Sequence, residues 1–178
     1  MLFRSRLAIF AGSAVDIAKR TGAAIALHEA DARKVEQGVE VPIVPASVWG
    51  RFMGWSMSLG LVRKMMGVDL APFAPDIRLG DDGLALAEYG IPGRVVHTPG
   101  HTQGSVSVVL DDGRALVGCM AMNGLPSISG RPVLPIFAED TGAIMIGWRR
   151  LFAMGVREAY PAHGEAFAAA VMRPLVGA

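Results

Sequence analysis

A proline-glycine corner between two histidines is the feature that most constrains how this chain can fold. Residues 93–105 read Gly-Arg-Val-Val-His-Thr-Pro-Gly-His-Thr-Gln-Gly-Ser, so an apolar run ends at His97 and a turn leads to His101. This pattern predicts a short strand that stops at a tight corner. Two of the four histidines of the chain stand here. The corner therefore indicates a strand end at which a rigid loop presents a reactive side chain.

Length and composition limit the classes of protein to consider. The chain has 178 residues, which predicts a single domain over 1–178 with one sizeable core. Seventeen basic residues against sixteen acidic ones leave a net charge of +1 and no long block of either sign, so we expect no nucleic-acid partner. No uninterrupted apolar stretch is long enough to span a bilayer. A single cysteine, Cys119, excludes an intrachain disulfide.

The first fifteen residues have a basic and then apolar pattern that is similar to a secretory signal. No small-residue cleavage site follows before Asp16, Lys19 and Arg20, and the segment 13–20 is more typical of a helix that ends at Thr21-Gly22. We therefore expect a cytoplasmic protein.

The order of predicted elements is mixed helix and strand, which indicates an α/β or α+β fold. Helices are predicted at 13–20, 30–37 and 47–66, from Asp140 to Gly155, and from Gly164 onward. Strands are predicted at 23–28, 77–79, 84–89, 94–97, 105–110, 115–118 and 157–160. Asp111-Asp-Gly113 predicts a hairpin turn between two of these strands.

The helix predicted at about 47–66 carries two rows of residues. Its apolar row repeats at alternating steps of four and three residues and consists of Val48, Phe52, Trp55, Leu59, Val62 and Met66. A second row of small residues, Gly50, Gly54 and Ser58, permits close packing. The apolar row predicts a helical insertion that covers the core or lines a cleft. A helix lying on a membrane surface is the alternative, which the tryptophans and nearby basic residues would suit, but an apolar row at this spacing favours a core.

Three residues with good metal-ligand chemistry stand at predicted strand ends. His101 and His163 each lie in a glycine or proline corner after a strand, and Cys119 follows the strand 115–118. Imidazole and thiolate are the ligands that zinc prefers in proteins. These three side chains are therefore candidate zinc ligands. The alternative is a structural role, since a lone histidine in a turn is more often structural and a lone buried cysteine is usually a small core residue.

Three segments in this order and spacing make the chain similar to the metallo-β-lactamase superfamily of hydrolases. They are His97-Thr-Pro-Gly-His-Thr-Gln-Gly-Ser105, Leu116-Val-Gly-Cys119, and Tyr160-Pro-Ala-His-Gly-Glu165. Residues 11–31 also resemble the helix, strand and helix that follow the first metal motif of that superfamily. The resemblance implies an αββα sandwich and metal-activated water that attacks an ester, thioester, lactone or lactam of a small-molecule substrate.

The same resemblance implies a role for each candidate ligand. His101 corresponds to the third histidine of the first metal site, and His163 to the histidine of the second. Cys119 stands where most members carry a bridging aspartate and one subclass of β-lactamases carries cysteine. The family implies one or two zinc ions, and His97 would support packing or a ligand rather than bind metal.

The first metal motif of the family, His-x-His-x-Asp-His, is expected just before Ala11, where this sequence has Arg6-Leu-Ala-Ile-Phe10. The fold is therefore expected to be incomplete at its N-terminal side. Metal binding at both the first and the second site is expected to be weakened. An uncovered sheet edge or core face would favour a homodimer.

The sequence leaves more than one function open. The first is an impaired metal-dependent hydrolase, and the second is an inactive truncated member or pseudoenzyme that serves as a binding module. A nucleophilic Cys119 paired with His101 or His163 is rival chemistry, although nothing after Gly118 lowers the pKa of a thiol as a helix N-terminus would. Glu29, Glu139 and Glu165 are the nearest carboxylates that could replace a missing ligand, and their positions also suit surface charges.

Overall fold

Two β-sheets lie at the centre of the computed structural model, which describes residues 2–3, 8–39, 44–57, 72–124 and 130–178. The smaller sheet is parallel and contains β1 (Leu2–Phe3), β2 (Ile25–His28) and β3 (Ile77–Leu79). The larger sheet has the order β4-β5-β6-β7-β8-β9, with strands at Leu84–Ala85, Gly93–His97, Val106–Leu110, Arg114–Met122, Glu158–His163 and Phe167–Ala168. Its β7 and β8 run parallel, and its other neighbours are antiparallel.

Helices of the described residues connect the strands and cover the sheets. They are α1 (Ala8–Thr21), α2 (Glu29–Glu36), α3 (Val48–Met57), α4 (Thr141–Ala153) and α5 (Arg173–Val176), with short 3-10 turns at Ala87–Tyr89 and Ala169–Met172. The side chain of Asp140 accepts a 2.9 Å hydrogen bond from the Ala143 backbone and begins α4. None of these helices is long and apolar enough to cross a membrane.

The alternation of side chains along the strands produces four layers. In β2, Ala26 joins Leu79, Val95 and Val106 in an apolar cluster between the two sheets. Its neighbours Ile25 and Leu27 point to the other face and pack with the first two helices. The far face of the larger sheet packs against α4 and α5. The architecture is therefore an αββα sandwich, as predicted.

The carboxyl ends of the strands that carry histidines lie on one edge of the sandwich. Strand β5 is antiparallel to β6, which is antiparallel to β7, so β5, β7 and β8 all run in the same direction. His28 ends β2, and it contacts the same carboxylate as His97, which ends β5. Strand ends of both sheets therefore meet on the edge to which Pro99-Gly100 belongs.

Several predicted elements need correction. The strand predicted at 84–89 ends at Ala85 and is followed by a 3-10 turn. The helix predicted from Gly164 onward is interrupted by β9, whose Phe167 pairs with Ala159, and only 173–176 is α-helical. Strand pairing wins at that point because the partner strand β8 offers its free edge to the chain. The predicted strands that carry Cys119 and His163 are longer than expected, as described below.

The helix predicted at 47–66 is confirmed over 48–57, and residues 58–66 lie outside the described residues. The described part of its apolar row is not in the core, since Val48 is 83%, Trp55 64% and Phe52 54% exposed. Gly50 and Gly54 of the row of small residues face the protein instead. A Cβ on Gly50 would stand 2.3 Å from the carbonyl oxygen of Ile136, so the close approach to that backbone selects the buried face.

Candidate metal centre

The loop that carries His101 is held on both sides by hydrogen bonds. Within it, the Thr98 backbone donates to the Ser105 carbonyl at 2.9 Å, and the Gly100 backbone donates to the Thr102 carbonyl at 3.0 Å. The Asp140 and Glu139 backbone amides donate to the carbonyls of Gly100 and His101. A Cβ at Gly100, whose φ is +132°, would stand 2.5 Å from the Asp140 carbonyl oxygen. The corner therefore requires glycine, as the sequence pattern indicated.

A buried carboxylate fixes the same loop to α2. Asp31 is only 1% exposed, and its Oδ2 accepts a 2.5 Å hydrogen bond from the Thr102 hydroxyl. A Cβ at Gly104 would lie 2.6 Å from the Asp31 carboxyl carbon, so the loop approaches this side chain closely. Lys34 brings the nearest cationic group, 3.9 Å from Asp31 Oδ1. The residue after His101 is thus attached to the small-sheet side of the molecule.

The imidazole of His101 is buried and oriented. His101 is 8% exposed, and its Nδ1 lies 2.8 Å from the carbonyl oxygen of Phe137. Because a carbonyl only accepts, Nδ1 carries the proton and Nε2 carries the lone pair. Metal-binding histidines are usually oriented in this way. The tautomer of His101 therefore suits a ligand that coordinates through Nε2.

Cys119 lies inside β7, not after it, because that strand continues to Met122. The pairing with β8 shifts register on both sides of Gly118, which has a φ of +56°. The cysteine is 3% exposed. Its strand is the direct neighbour of β8, so Cys119 stands near the carboxyl end of one strand beside the strand that ends at His163.

His163 is the last residue of β8 and pairs with Met122. The Asn123 and Gly124 backbone amides donate to its carbonyl oxygen at 3.1 and 3.3 Å. Burial lowers the pKa of the His163 imidazole, which favours the neutral form that metals bind. The topology thus directs the segments of all three predicted ligands to one edge, while their shared coordination of a metal stays a prediction.

The three glutamates considered as replacement ligands have different surroundings. Glu29 is 3.4 Å from Arg33 on α2, and Glu165 is an exposed residue after β8. Glu139 adjoins the loop, since its amide donates to the His101 carbonyl and its carboxylate lies 3.8 Å from Lys34. Of the three, Glu139 is the one attached to a predicted ligand. The segment expected to hold the missing motif lies partly outside the described residues, and Ala8–Phe10 begins α1.

A second group of possible ligands joins the two sheets. Asp81 Oδ1 lies 2.9 Å from His97 Nδ1 and 3.2 Å from His28 Nε2. The two imidazole rings stack with centroids 3.8 Å apart and an angle of 15° between their planes. Ligand atoms of the three residues all lie within 4.8 Å of one another. Burial and the nearby His97 lower the pKa of His28, and Asp81 opposes that shift.

His28 and Asp81 were not among the candidate ligands predicted from the sequence. Both follow the rule that identified the other candidates, since His28 ends β2 and Asp81 comes two residues after β3. His97 was interpreted as a packing or supporting residue, and the structure places it in contact with Asp81. The positions of His28 and Asp81 at strand ends could be predicted from the sequence. The packing of the two sheets that brings these residues together could not.

Comparison with solved structures identifies the fold. A metallo-β-lactamase superfamily protein from the archaeon Sulfolobus tokodaii aligns over 93% of this chain and 61% of its own, with 16% identity and a TM-score of 0.60. The B3 metallo-β-lactamase BLEG-1 aligns over 89% and 66%, with 16% identity and a TM-score of 0.57. TTHA1623, solved in a di-iron-bound form, aligns over 91% and 68%, with 19% identity and a TM-score of 0.53.

These likenesses show that the chain has the metallo-β-lactamase fold, as the resemblance in the sequence implied. The chain spans less than two thirds of the length of the first two of these proteins. No protein-family profile matches the sequence, and no curated protein is a significant match.

Proposed function

We propose that the chain belongs to a metal-dependent hydrolase and supplies His101, Cys119 and His163 to its metal centre. The observation that carries the proposal is the orientation of His101, whose Nδ1 faces the Phe137 carbonyl at 2.8 Å in a loop fixed to both halves of the sandwich. A loop held this firmly around a buried imidazole suits a ligand position. The fold of the solved neighbours supports the same assignment.

The chemistry proposed is hydrolysis of an ester, thioester, lactone or lactam bond. A zinc or iron ion at this centre would act as a Lewis acid and activate water for attack on a carbonyl. The residues around the three proposed ligands orient them and favour the protonation states that bind metal. Burial favours neutral His163, and the Phe137 carbonyl selects the tautomer of His101. No protein nucleophile is required.

The set of three is smaller than that of a complete family site, which limits the expected activity. We expect this centre of the 178-residue chain to hold at most one tightly bound ion, and the chain to hydrolyse test substrates about a thousandfold or more slowly than a complete enzyme. An inactive chain that still binds metal or small molecules would support the binding-module alternative.

The experiment loads the full chain with Co²⁺ and records its spectrum, followed by assays with a chromogenic β-lactam, a thioester and a lactone. Cys119 predicts a thiolate-to-cobalt charge-transfer band that disappears in Cys119→Ser and weakens in His163→Ala. Residual hydrolysis should fall in the same variants. The exposed hairpin substitution Asp111→Asn serves as control. A spectrum without the thiolate band, with turnover unchanged in both variants, would refute the assignment.

A further inference from the structure

The contacts of His97 leave a place for a cation in front of its ring. Its Nε2 lies 2.7 Å from the carbonyl oxygen of Gln103, and a carbonyl is an acceptor only, so Nε2 must carry a proton. In the neutral ring Nδ1 then presents a lone pair, and this atom lies 2.9 Å from Asp81 Oδ1. Two acceptors at this distance repel unless a cation lies between them. The cation is either a proton or a metal ion.

His28 provides a second buried nitrogen at the same place. The residue is 5% exposed, and its Nε2 has no hydrogen-bond partner although it is directed to Asp81 Oδ1 at 3.2 Å. An unpaired polar atom in a buried side chain costs free energy. Nδ1 of His28 accepts a hydrogen bond from the Ala30 backbone, so Nε2 carries the ring proton, and a shift of that proton to Nδ1 would free the Nε2 lone pair for an ion. The aim of this atom is an observation independent of the contacts of His97.

We propose that His28, Asp81 and His97 form a binding site for a divalent transition-metal ion, separate from the centre that contains His101. Two imidazoles and one carboxylate are a ligand set that suits Zn²⁺, Co²⁺, Ni²⁺ or Fe²⁺ and disfavours Mg²⁺. The Asp81 side chain is 83% exposed, so the remaining coordination positions open to solvent. A metal-bound water or a small anion can occupy them.

Binding requires modest local change. The two rings stack nearly parallel, and each must tilt toward the other before both nitrogens reach one ion. Ligation through His28 Nε2 also moves the ring proton to Nδ1, which accepts a 3.3 Å hydrogen bond from the Ala30 backbone at the start of α2. That bond is longer than usual and therefore weak. Loss of this cap is the main structural cost of metal binding at the site.

The position of the site gives it a structural consequence. His28 belongs to the smaller sheet, His97 to the larger sheet, and Asp81 to the connection between β3 and β4. An ion held by all three would cross-link the two sheets at their shared edge. Because it binds the folded chain only, the ion should raise the temperature of unfolding.

The test uses the full chain carrying Cys119→Ser and His163→Ala, which removes two ligands of the centre proposed above. Thermal unfolding is measured against Ni²⁺, Zn²⁺ and Mg²⁺, and Co²⁺ spectra are recorded in parallel. At about a hundredfold excess over Kd, Zn²⁺ or Ni²⁺ should raise the melting temperature by roughly 5 °C or more, and Mg²⁺ should not. The Co²⁺ spectrum should show d–d bands without a thiolate band, which separates this site from the other.

Asp81→Asn is the decisive variant, and its exposed neighbour Asp82→Asn is the matched control. We expect Asp81→Asn to weaken metal binding at least about tenfold, with the melting temperature of the metal-free protein little changed, because the side chain is exposed. His97→Asn should have the same effect on binding. An equal metal-induced shift in Asp81→Asn and Asp82→Asn would overturn the proposal, and so would the absence of any shift in the background variant. Either result would leave a proton as the cation between Asp81 and His97.

Discussion

The two halves of the sandwich differ in how much core they bury. Between the larger sheet and α4 and α5, fifteen of the described residues form one buried apolar cluster that includes Trp148 and Leu151. Between the smaller sheet and α1 and α2, the described residues give a buried cluster of five. The smaller sheet also has short strands of two, four and three residues. Within the described residues the larger half has the larger buried cluster, and we therefore expect it to be the more stable part.

Because the smaller half has the smaller buried cluster, polar contacts between the two halves should contribute to its attachment. The smaller half is attached through the apolar cluster around Ala26 and Leu79, and through polar links, two of which lie at the ligand edge. One link is the hydrogen bond from Thr102 to Asp31, and the other is Asp81 between His28 and His97. Both links end in loops that carry candidate ligands. The ligand edge is therefore attached to the smaller half as well as to the larger one, and we expect its order to depend in part on these contacts.

A pair of leucine substitutions should have the largest effect on the free energy of unfolding. It tests directly whether the two halves differ in stability. Leu151 of α4 is 0% exposed and Leu27 of β2 is 3% exposed, so both lose a buried side chain on replacement by alanine. We expect Leu151→Ala to lower the free energy of unfolding by about 4 kcal/mol, and Leu27→Ala by about 2–3 kcal/mol, because a small cluster collapses more easily around the cavity. Urea denaturation measures both. A larger loss for Leu27→Ala would reverse the comparison.

The fold was predictable because its signals are local. Short apolar runs marked β2, β5 and β6, Asp140 marked the start of α4, and Pro99-Gly100 marked the corner. The ends of β7 and β8 were misjudged because their pairing extends past Gly118 and Pro161, residues that normally interrupt a strand. Tertiary pairing overrides local preference at such positions.

The candidate sites were predictable only in part. The orientation of His101 depends on the Phe137 carbonyl, 36 residues away, and the contact of Asp31 with Thr102 spans 71 residues. Contacts between residues so far apart in the sequence leave no local pattern from which they could be predicted. The burial of the apolar row on α3 was wrongly predicted for Phe52 and Trp55, because helical periodicity identifies two faces and does not show which one the protein covers.

Removal of the Asp31 carboxylate should have an intermediate effect. Asp31→Ala leaves the Thr102 hydroxyl without its buried acceptor, and we expect a loss of about 2 kcal/mol in the free energy of unfolding. The loop 98–105 should then exchange its amide hydrogens faster, because it loses its attachment to α2. Glu29→Gln changes an exposed acid on the same helix and serves as control. Unchanged exchange in the loop would show that the backbone hydrogen bonds alone hold it.

The smallest expected effect is a pH dependence that comes from the edge between the two halves. Burial and His97 lower the pKa of His28, so as pH falls the unfolded chain takes up this proton before the folded chain does. The folded state should therefore lose stability as pH decreases through about 6.5, the ordinary histidine value, toward the lower pKa of the folded protein. Melting temperatures measured with a chelator between about pH 7.5 and 5.5 should decline less steeply in His28→Gln than in the unmodified chain.

His163, whose pKa is also lowered by burial, should keep part of the pH dependence of the melting temperature in that variant. Glu88→Gln, an exposed change, should leave the slope as it is. A steeper decline in His28→Gln would mean that Asp81 favours the protonated ring more strongly than burial opposes it, and that the link between the sheets tightens in acid.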